Sequence, residues 1–157
     1  MSDIRYLPFP ALPAEAFLPL MNRASTRTHL IEHAEFDASS IRSWVEEKQA
    51  VDLAPGCRVR AVEVAGALAG WCGIQEQGDQ YEIAIVLDQH YWGIGQAVFR
   101  EVMDWGRALG HSRLFIHLLH TRRPYRFLRS MAVRVYQSEW QGNRFTSYEL
   151  RVPEALP

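Results

Sequence analysis

The stretch from Ile85 to Val102, IVLDQHYWGIGQAVFREV, holds the spacing in this chain best suited to chemistry. An apolar run ends at Leu87, Gly93 and Gly95 flank Ile94, and a helical stripe of Val98, Val102, Trp105 and Leu109 follows at once. The first turn of a helix leaves backbone N–H groups unpaired, and the helix dipole there favours negative charge. Glycines at such a junction let an anion approach the backbone, because no Cβ stands in the way. Gly93 and Gly95 therefore read as a phosphate seat walled by Tyr91 and Trp92; the alternative is a tight turn without a ligand. Spacing excludes two other phosphate loops. The dinucleotide fingerprint needs a third glycine where Val98 stands, and the Gly-Lys-Ser/Thr of a P-loop occurs nowhere.

Other residues offer less. Arg122, Arg126 and Arg129 fall on one helical face, fit for a phosphate or an acidic partner, or for a solvated surface. His111, His117 and His120 do not form a metal site, since positions 117 and 120 of a strand face opposite ways and no cysteine or carboxylate completes a ligand pattern. Cys57 and Cys72 lack motif spacing and an activating context, which points to reduced thiols and a cytoplasmic protein. No GxSxG nucleophile elbow is present. The net charge of -1 gives no footprint for nucleic acid, no apolar run is long enough to cross a membrane, and the start MSDIRYLPFP lacks the pattern of a signal peptide.

Several elements must position the glycine junction. The 157 residues favour one domain spanning 1–157. Residues 4–9 form a strand stopped by Pro8 and Pro10, and 13–24 a helix that Pro19 kinks or shortens. Asp37 caps a helix over 37–49, with Ile41, Trp44, Val45 and Lys48 at helical spacing. From Cys57 the period becomes two, with Val59, Ala61 or Val62, and Val64 facing inward. Turns fall near Gly66 and over 77–80. The third strand of the set, YEIAIVL over 81–87, is apolar on both faces and therefore central. A helix over 94–109 ends before Gly110, RLFIHLL over 113–119 is a strand, 122–132 is helical, and two strands joined at 141–143 close the chain. That order makes the fold class α+β or mixed α/β.

The segment EIAIVLDQHYWGIGQAVFREVMDWGRALGHSRLFIHLL resembles the acyl-CoA-binding core of the GNAT acetyltransferase superfamily, and TRRPYRFLRSMAV resembles its next segment. The resemblance implies a GNAT-like α/β (α+β mixed) fold: a central, mostly antiparallel sheet with splayed central strands and flanking helices. It implies acetyl-CoA as cosubstrate, with pyrophosphate on the loop amides and pantetheine in the splay. It assigns cofactor contacts to Ile85, Val86, Leu87, His90, Trp92, Gly93, Ile94, Gly95, Gln96, Ala97, Thr121 and Arg126. With Gly93 as the first motif glycine, His90 stands where Arg or Gln is usual. With Gly95 first, Trp92 stands there and Ala97 completes the motif; Gly110 fits the first register better. Leu128 falls where the family's acid tyrosine sits, leaving Tyr125 and Tyr136 as substitutes, and Glu82 matches a frequent strand glutamate that serves as base. A backbone N–H near 85–87 would polarise the thioester carbonyl. The expected activity is acetyl transfer to a primary amine of a small molecule or protein, in a ternary complex. Residues 25–40 and the final hairpin, with Trp140 and Tyr148, would shape the acceptor pocket; a homodimer is compatible. A CoA-binding or interaction module without catalysis is the alternative.

Overall fold

The computed structural model describes residues 3–23, 35–120 and 125–154. Its strands are β1 (Ile4–Leu7), β2 (Arg58–Val64), β3 (Ala67–Gln77), β4 (Gln80–Leu87), β5 (Arg113–Leu119), β6 (Ala132–Trp140) and β7 (Asn143–Arg151). They form one sheet in the order β1-β2-β3-β4-β5-β7-β6, antiparallel at every contact except the parallel pair β4 and β5. The described helices are α1 (Leu18–Asn22), α2 (Ala38–Leu53), α3 (Gly95–Ala108) and α4 (Arg126–Met131).

Two cores sandwich the sheet. Val98, Phe99, Val102 and Trp105 of α3 pack on one face, with Ile74, Ile83, Leu114, Ile116, Tyr148 and Leu150. Ile41 and Val45 of α2 pack on the other, with Phe9, Phe17, Val59, Ala61, Trp71 and Val86. Asp37 caps α2 as its sequence position implies: its carboxylate accepts from the amides of Ser39 and Ser40, and Ser40 Oγ accepts from the Asp37 amide. Ala61 and Val62 are both buried, because consecutive strand residues face opposite ways and each face of the sheet carries a core.

Three sequence expectations change. Residues 14–17 form a 3₁₀ turn, and the α-helical part begins at Leu18 with Pro19 in its first turn. Proline is tolerated there, so of the two outcomes expected of Pro19 the helix shows the shortening and not a kink. The helix expected over 122–132 is α4, six residues long. The three-arginine stripe accordingly shrinks to Arg126 and Arg129, with Arg122 outside the described residues. The first strand ends at Leu7, because Pro8 has no N–H for the ladder.

Candidate active site

The sheet divides between β4 and β5. β3 and β4 pair from Gly70↔Leu87 to Gln77↔Gln80, and β5 and β7 from Arg113↔Arg151 to Leu119↔Phe145, but β4 and β5 meet at Glu82↔Phe115 alone. Beyond that vertex the two strands separate toward their C-terminal ends. The Asp88 amide donates to Ala69 O at 2.8 Å, across to β3. Peptide groups alternate along a strand, so those of Ile85 and Leu87 turn to the opposite edge, into the cleft. Val86 turns its peptide to β3, opposite Trp71, and its side chain lies in the α2-side core. Of the three strand residues named, Ile85 and Leu87 face the cleft with their backbone and Val86 faces β3. Trp92 closes part of this edge, its Nε1 donating to Leu87 O at 3.0 Å.

The junction after β4 is more wound than the sequence implies. Residues 89–94 form a 3₁₀ helix that runs directly into α3. The Asp88 carboxylate accepts from the His90 amide at 3.0 Å, and the Asp88 carbonyl accepts from the Tyr91 amide at 2.8 Å. The Gly95 amide donates to Trp92 O. The amides of His90, Tyr91 and Gly95 are therefore engaged internally, the first by the capping Asp88 carboxylate and the other two by backbone carbonyls of the 3₁₀ turn. Ile94, at the N-cap of α3, has no side chain that can cap, so Gln96 and Ala97, both exposed, have no side-chain partner for their amides.

Asp88 is the fixed point of the junction. It is 4 % exposed, ion-paired with Arg23, and its Oδ1 lies 3.0 Å from His90 Nδ1. Burial raises its carboxyl, but the His90 amide, the His90 ring and the Arg23 guanidinium together outweigh that and hold it below the ordinary Asp range. The His90 ring itself projects largely into solvent.

Gly93 and Gly95 behave unlike the other glycines. Five of the ten take positive φ, and Gly70, Gly73 and Gly106 are packed where a Cβ would collide. Gly93 and Gly95 have neither reason: their φ is not positive, and a Cβ on either would meet no atom of the described residues within 4 Å. A turn alone does not require glycine at either position, and helical backbone disfavours it by about 1 kcal/mol.

Glu82 stands at the vertex of the cleft on the face that carries α2. Gln75 Nε2 donates to Glu82 Oε1 at 3.0 Å, and Lys48 Nζ of α2 donates to Gln75 Oε1 at 2.9 Å. Lys48 also lies 4.9 Å over the Trp71 ring, and burial pushes its ammonium below the usual lysine range against the pull of Glu47 and Glu82. Glu82 Oε2 has no hydrogen-bond partner among the described residues. Phe115 and His117 share this face, because directly paired residues face the same way and a strand repeats every second residue.

The candidate residues do not all converge. Tyr136 lies on the outermost strand β6 under the Arg134 guanidinium, 4.3 Å from its ring centre and roughly 10 Å from the line of β5 by ordinary strand spacing. Tyr125 precedes α4 and packs edge-on to Phe127, which meets Phe99 of α3, so it belongs to the α3 side of the cleft. Arg126 is exposed on α4; Thr121 lies outside the described residues, as do Arg27, His29, Glu32 and His33. Leu128 is 2 % exposed in the α3-side core, and Tyr148 is buried there too, its hydroxyl unpartnered among the described residues.

The sequence reading missed His117. Its Nδ1 is 2.7 Å from Ser147 Oγ, which is 2.7 Å from Ser138 Oγ, and its Nε2 is 3.3 Å from Gln80 Oε1. The signal was partly present: a histidine sits inside the nearly apolar strand RLFIHLL, but its serine partner lies in the polar strand NRFTSYELR and only the register brings the two together. Among the described residues no group of three or more His, Cys, Asp or Glu could hold a metal ion, and no helix is long and apolar enough to cross a membrane.

No family model matches the chain, and no curated protein matches it in sequence. Solved structures do match. YncA from Salmonella typhimurium, solved with its cofactor acetyl-CoA, is 14% identical with a TM-score of 0.67, covering 100% of this chain and 97% of its own. The GNAT-family acetyltransferase from Streptococcus pneumoniae is 14% identical with a TM-score of 0.69, covering 98% and 100%. An N-acetyltransferase from Staphylococcus aureus Mu50 is 14% identical with a TM-score of 0.68, covering 98% and 99%. The parallel pair parted beyond one bridge, the turn entering α3 and the overlap across nearly the whole chain give one conclusion: this protein has the GNAT fold.

Proposed function

We propose that this protein transfers an acetyl group from acetyl-CoA to a primary amine of a small molecule or protein, by direct attack in a ternary complex. One observation carries the proposal: Gly93 and Gly95 lie at the lip of a split sheet with open space where side chains would stand, and neither backbone conformation nor packing demands them. Bound acetyl-CoA supplies the activated acetyl carbon. The exposed first turn at Gln96 and Ala97, with Gly93, Ile94 and Gly95 beside it, offers a seat for its diphosphate, and the family resemblance assigns His90, Thr121 and Arg126 as polar cofactor contacts. The cleft edge at Ile85 and Leu87 offers backbone groups to an extended amide chain and a donor for the thioester carbonyl. Glu82, with one carboxylate oxygen unpartnered, draws the amine to the vertex and accepts its proton, directly or through water. Tyr125 is the phenol on the cofactor side; Tyr136 sits too far out on β6 to reach a thiolate in the cleft without a relay.

Thiol release from acetyl-CoA across a panel of primary amines tests the proposal: amine-dependent release is expected, and no release with any amine overturns it. A second reading is a CoA-binding or interaction module without catalysis. The Trp92 indole on the Leu87 carbonyl and Leu128 buried in place of a phenol favour it. Acetyl-CoA binding with no thiol release would establish that alternative.

A further inference from the structure

Resting on the acetyl-transfer proposal, we propose that His117 Nε2, in place of the Glu82 carboxylate, takes the proton of the acceptor amine while Glu82 holds the ammonium, and that Ser147 and Ser138 carry that proton to the outer edge of the sheet. The geometry is a continuous row across β5, β7 and β6. His117 pairs with Ser147 in register and Ser147 with Tyr136, and the imidazole and two hydroxyls follow each other at 2.7 Å and 2.7 Å. Ser147 is fully buried, whereas Ser138 is half-buried on the edge strand, so the row runs from the interior of the sheet to water.

When His117 Nδ1 carries the ring proton, it donates to Ser147 Oγ, and Ser147 can donate onward to Ser138 Oγ. Nε2 then presents a lone pair toward the Gln80 carboxamide oxygen, 3.3 Å away. In the other tautomer Nε2–H donates to Gln80 Oε1 and Nδ1 accepts from Ser147, whereas in this one two lone pairs face each other and an N–H-rich group satisfies both. An ammonium seated there donates to both, with the Glu82 carboxylate on the same face drawing its charge.

The groups facing His117 support a ring that accepts a proton without keeping it. Glu82 of β4 stabilises the protonated ring, and Lys48 of α2 reaches Glu82 through Gln75. On β7 and β6 the same face carries Glu149, held by Arg113 and Arg134, and Tyr136. Burial outweighs the Glu82 contribution and lowers the imidazole below the ordinary His value, leaving it neutral near pH 7. Phe115 stacks within 6.3 Å at an interplanar angle of 11°, fixing the ring plane.

The protons balance. The alkylammonium gives one proton to Nε2, and its freed lone pair forms the C–N bond. The C–S bond breaks with its electron pair on sulfur, and the second nitrogen proton ends on that sulfur as thiol. One proton per turnover leaves through Nδ1, Ser147 and Ser138.

The test uses the full chain, acetyl-CoA and the best acceptor in the amine panel, with kcat, the KM for acetyl-CoA and the melting temperature measured for His117→Gln and Ser147→Ala. The expected result is a kcat about a hundredfold lower for His117→Gln and about tenfold lower for Ser147→Ala, with the KM for acetyl-CoA unchanged. In the wild type kcat falls as the pH drops through the lowered imidazole value, because a protonated ring accepts nothing; His117→Gln loses that acid limb. Wild-type kcat in either variant, or an acid limb that survives in His117→Gln, overturns the inference while acetyl transfer stands. A wild type that releases no thiol with any amine overturns both.

Discussion

The glycines of β3 and those at the entrance to α3 obey different constraints. Gly70 and Gly73 lie in the middle of the sheet, where a Cβ would meet Val86 O at 2.0 Å and Arg58 O at 2.3 Å. These are backbone atoms of neighbouring strands and have nowhere to move, so the fold dictates both residues. Gly93 and Gly95 follow His90 into open space, and none of the described residues presses on them. A residue with no internal reason to be glycine, in a place where glycine is mildly unfavourable, points outward to what approaches it. The contrast separates glycines kept for folding from glycines kept for a ligand, and it does so by distance, without reference to any other protein.

The largest expected effect is on the β3 side. Gly70→Ala should lose at least about 3 kcal/mol in urea denaturation, or fail to fold, because the colliding partner is backbone. A variant of wild-type stability would break the comparison at its stronger end. Next is the anchor of the junction. Asp88→Asn should lose about 2 kcal/mol near neutral pH, since it breaks a charged contact to Arg23 and weakens those to His90. The sign follows from the lowered carboxyl: Asp88 contributes stability above its unfolded value of about 3.9, and that contribution is lost as pH falls through the lower folded value. Acid denaturation curves of the two proteins should therefore converge at low pH; a constant gap would contradict this role. Gly106→Ala is intermediate. Its Cβ would meet Leu114 Cδ1 at 2.5 Å, the end of a side chain that can rotate, so a loss of about 1 kcal/mol is expected. Gly93→Ala and Gly95→Ala should have the smallest effect on stability, from none to a gain of about 1 kcal/mol in thermal or urea melts. A large loss there would mean that the fold needs those glycines after all.

Much of the fold was legible because its signals are local. Period-two alternation, the Asp37 cap and the glycine past α3 each act within a few residues, and the strand RLFIHLL matches β5 at both ends. The central placement of 81–87 followed from its two apolar faces, which each need a partner core. The candidate site was legible only in outline. Glu82 and the glycine pair lie in one stretch of sequence, but Asp88, which caps the turn, is ion-paired with Arg23, far earlier in the chain. The His117 row depends on the register of three strands, and a one-residue slip would send each side chain to the other face. Sequence periodicity cannot supply that register. For Pro19 the sequence left kinking and shortening both open, since its effect depends on where the helix starts, and Phe17 and Leu20 pack into the α2-side core on either side of it.

Calorimetric titration of acetyl-CoA into the wild type, Gly93→Ala and Gly95→Ala tests the central claim most directly. The account predicts binding to the wild type, and affinity reduced about tenfold or more, roughly 1.4 kcal/mol, in variants that melt no earlier. Equal affinity in all three proteins, or no binding by the wild type at millimolar acetyl-CoA, would contradict it.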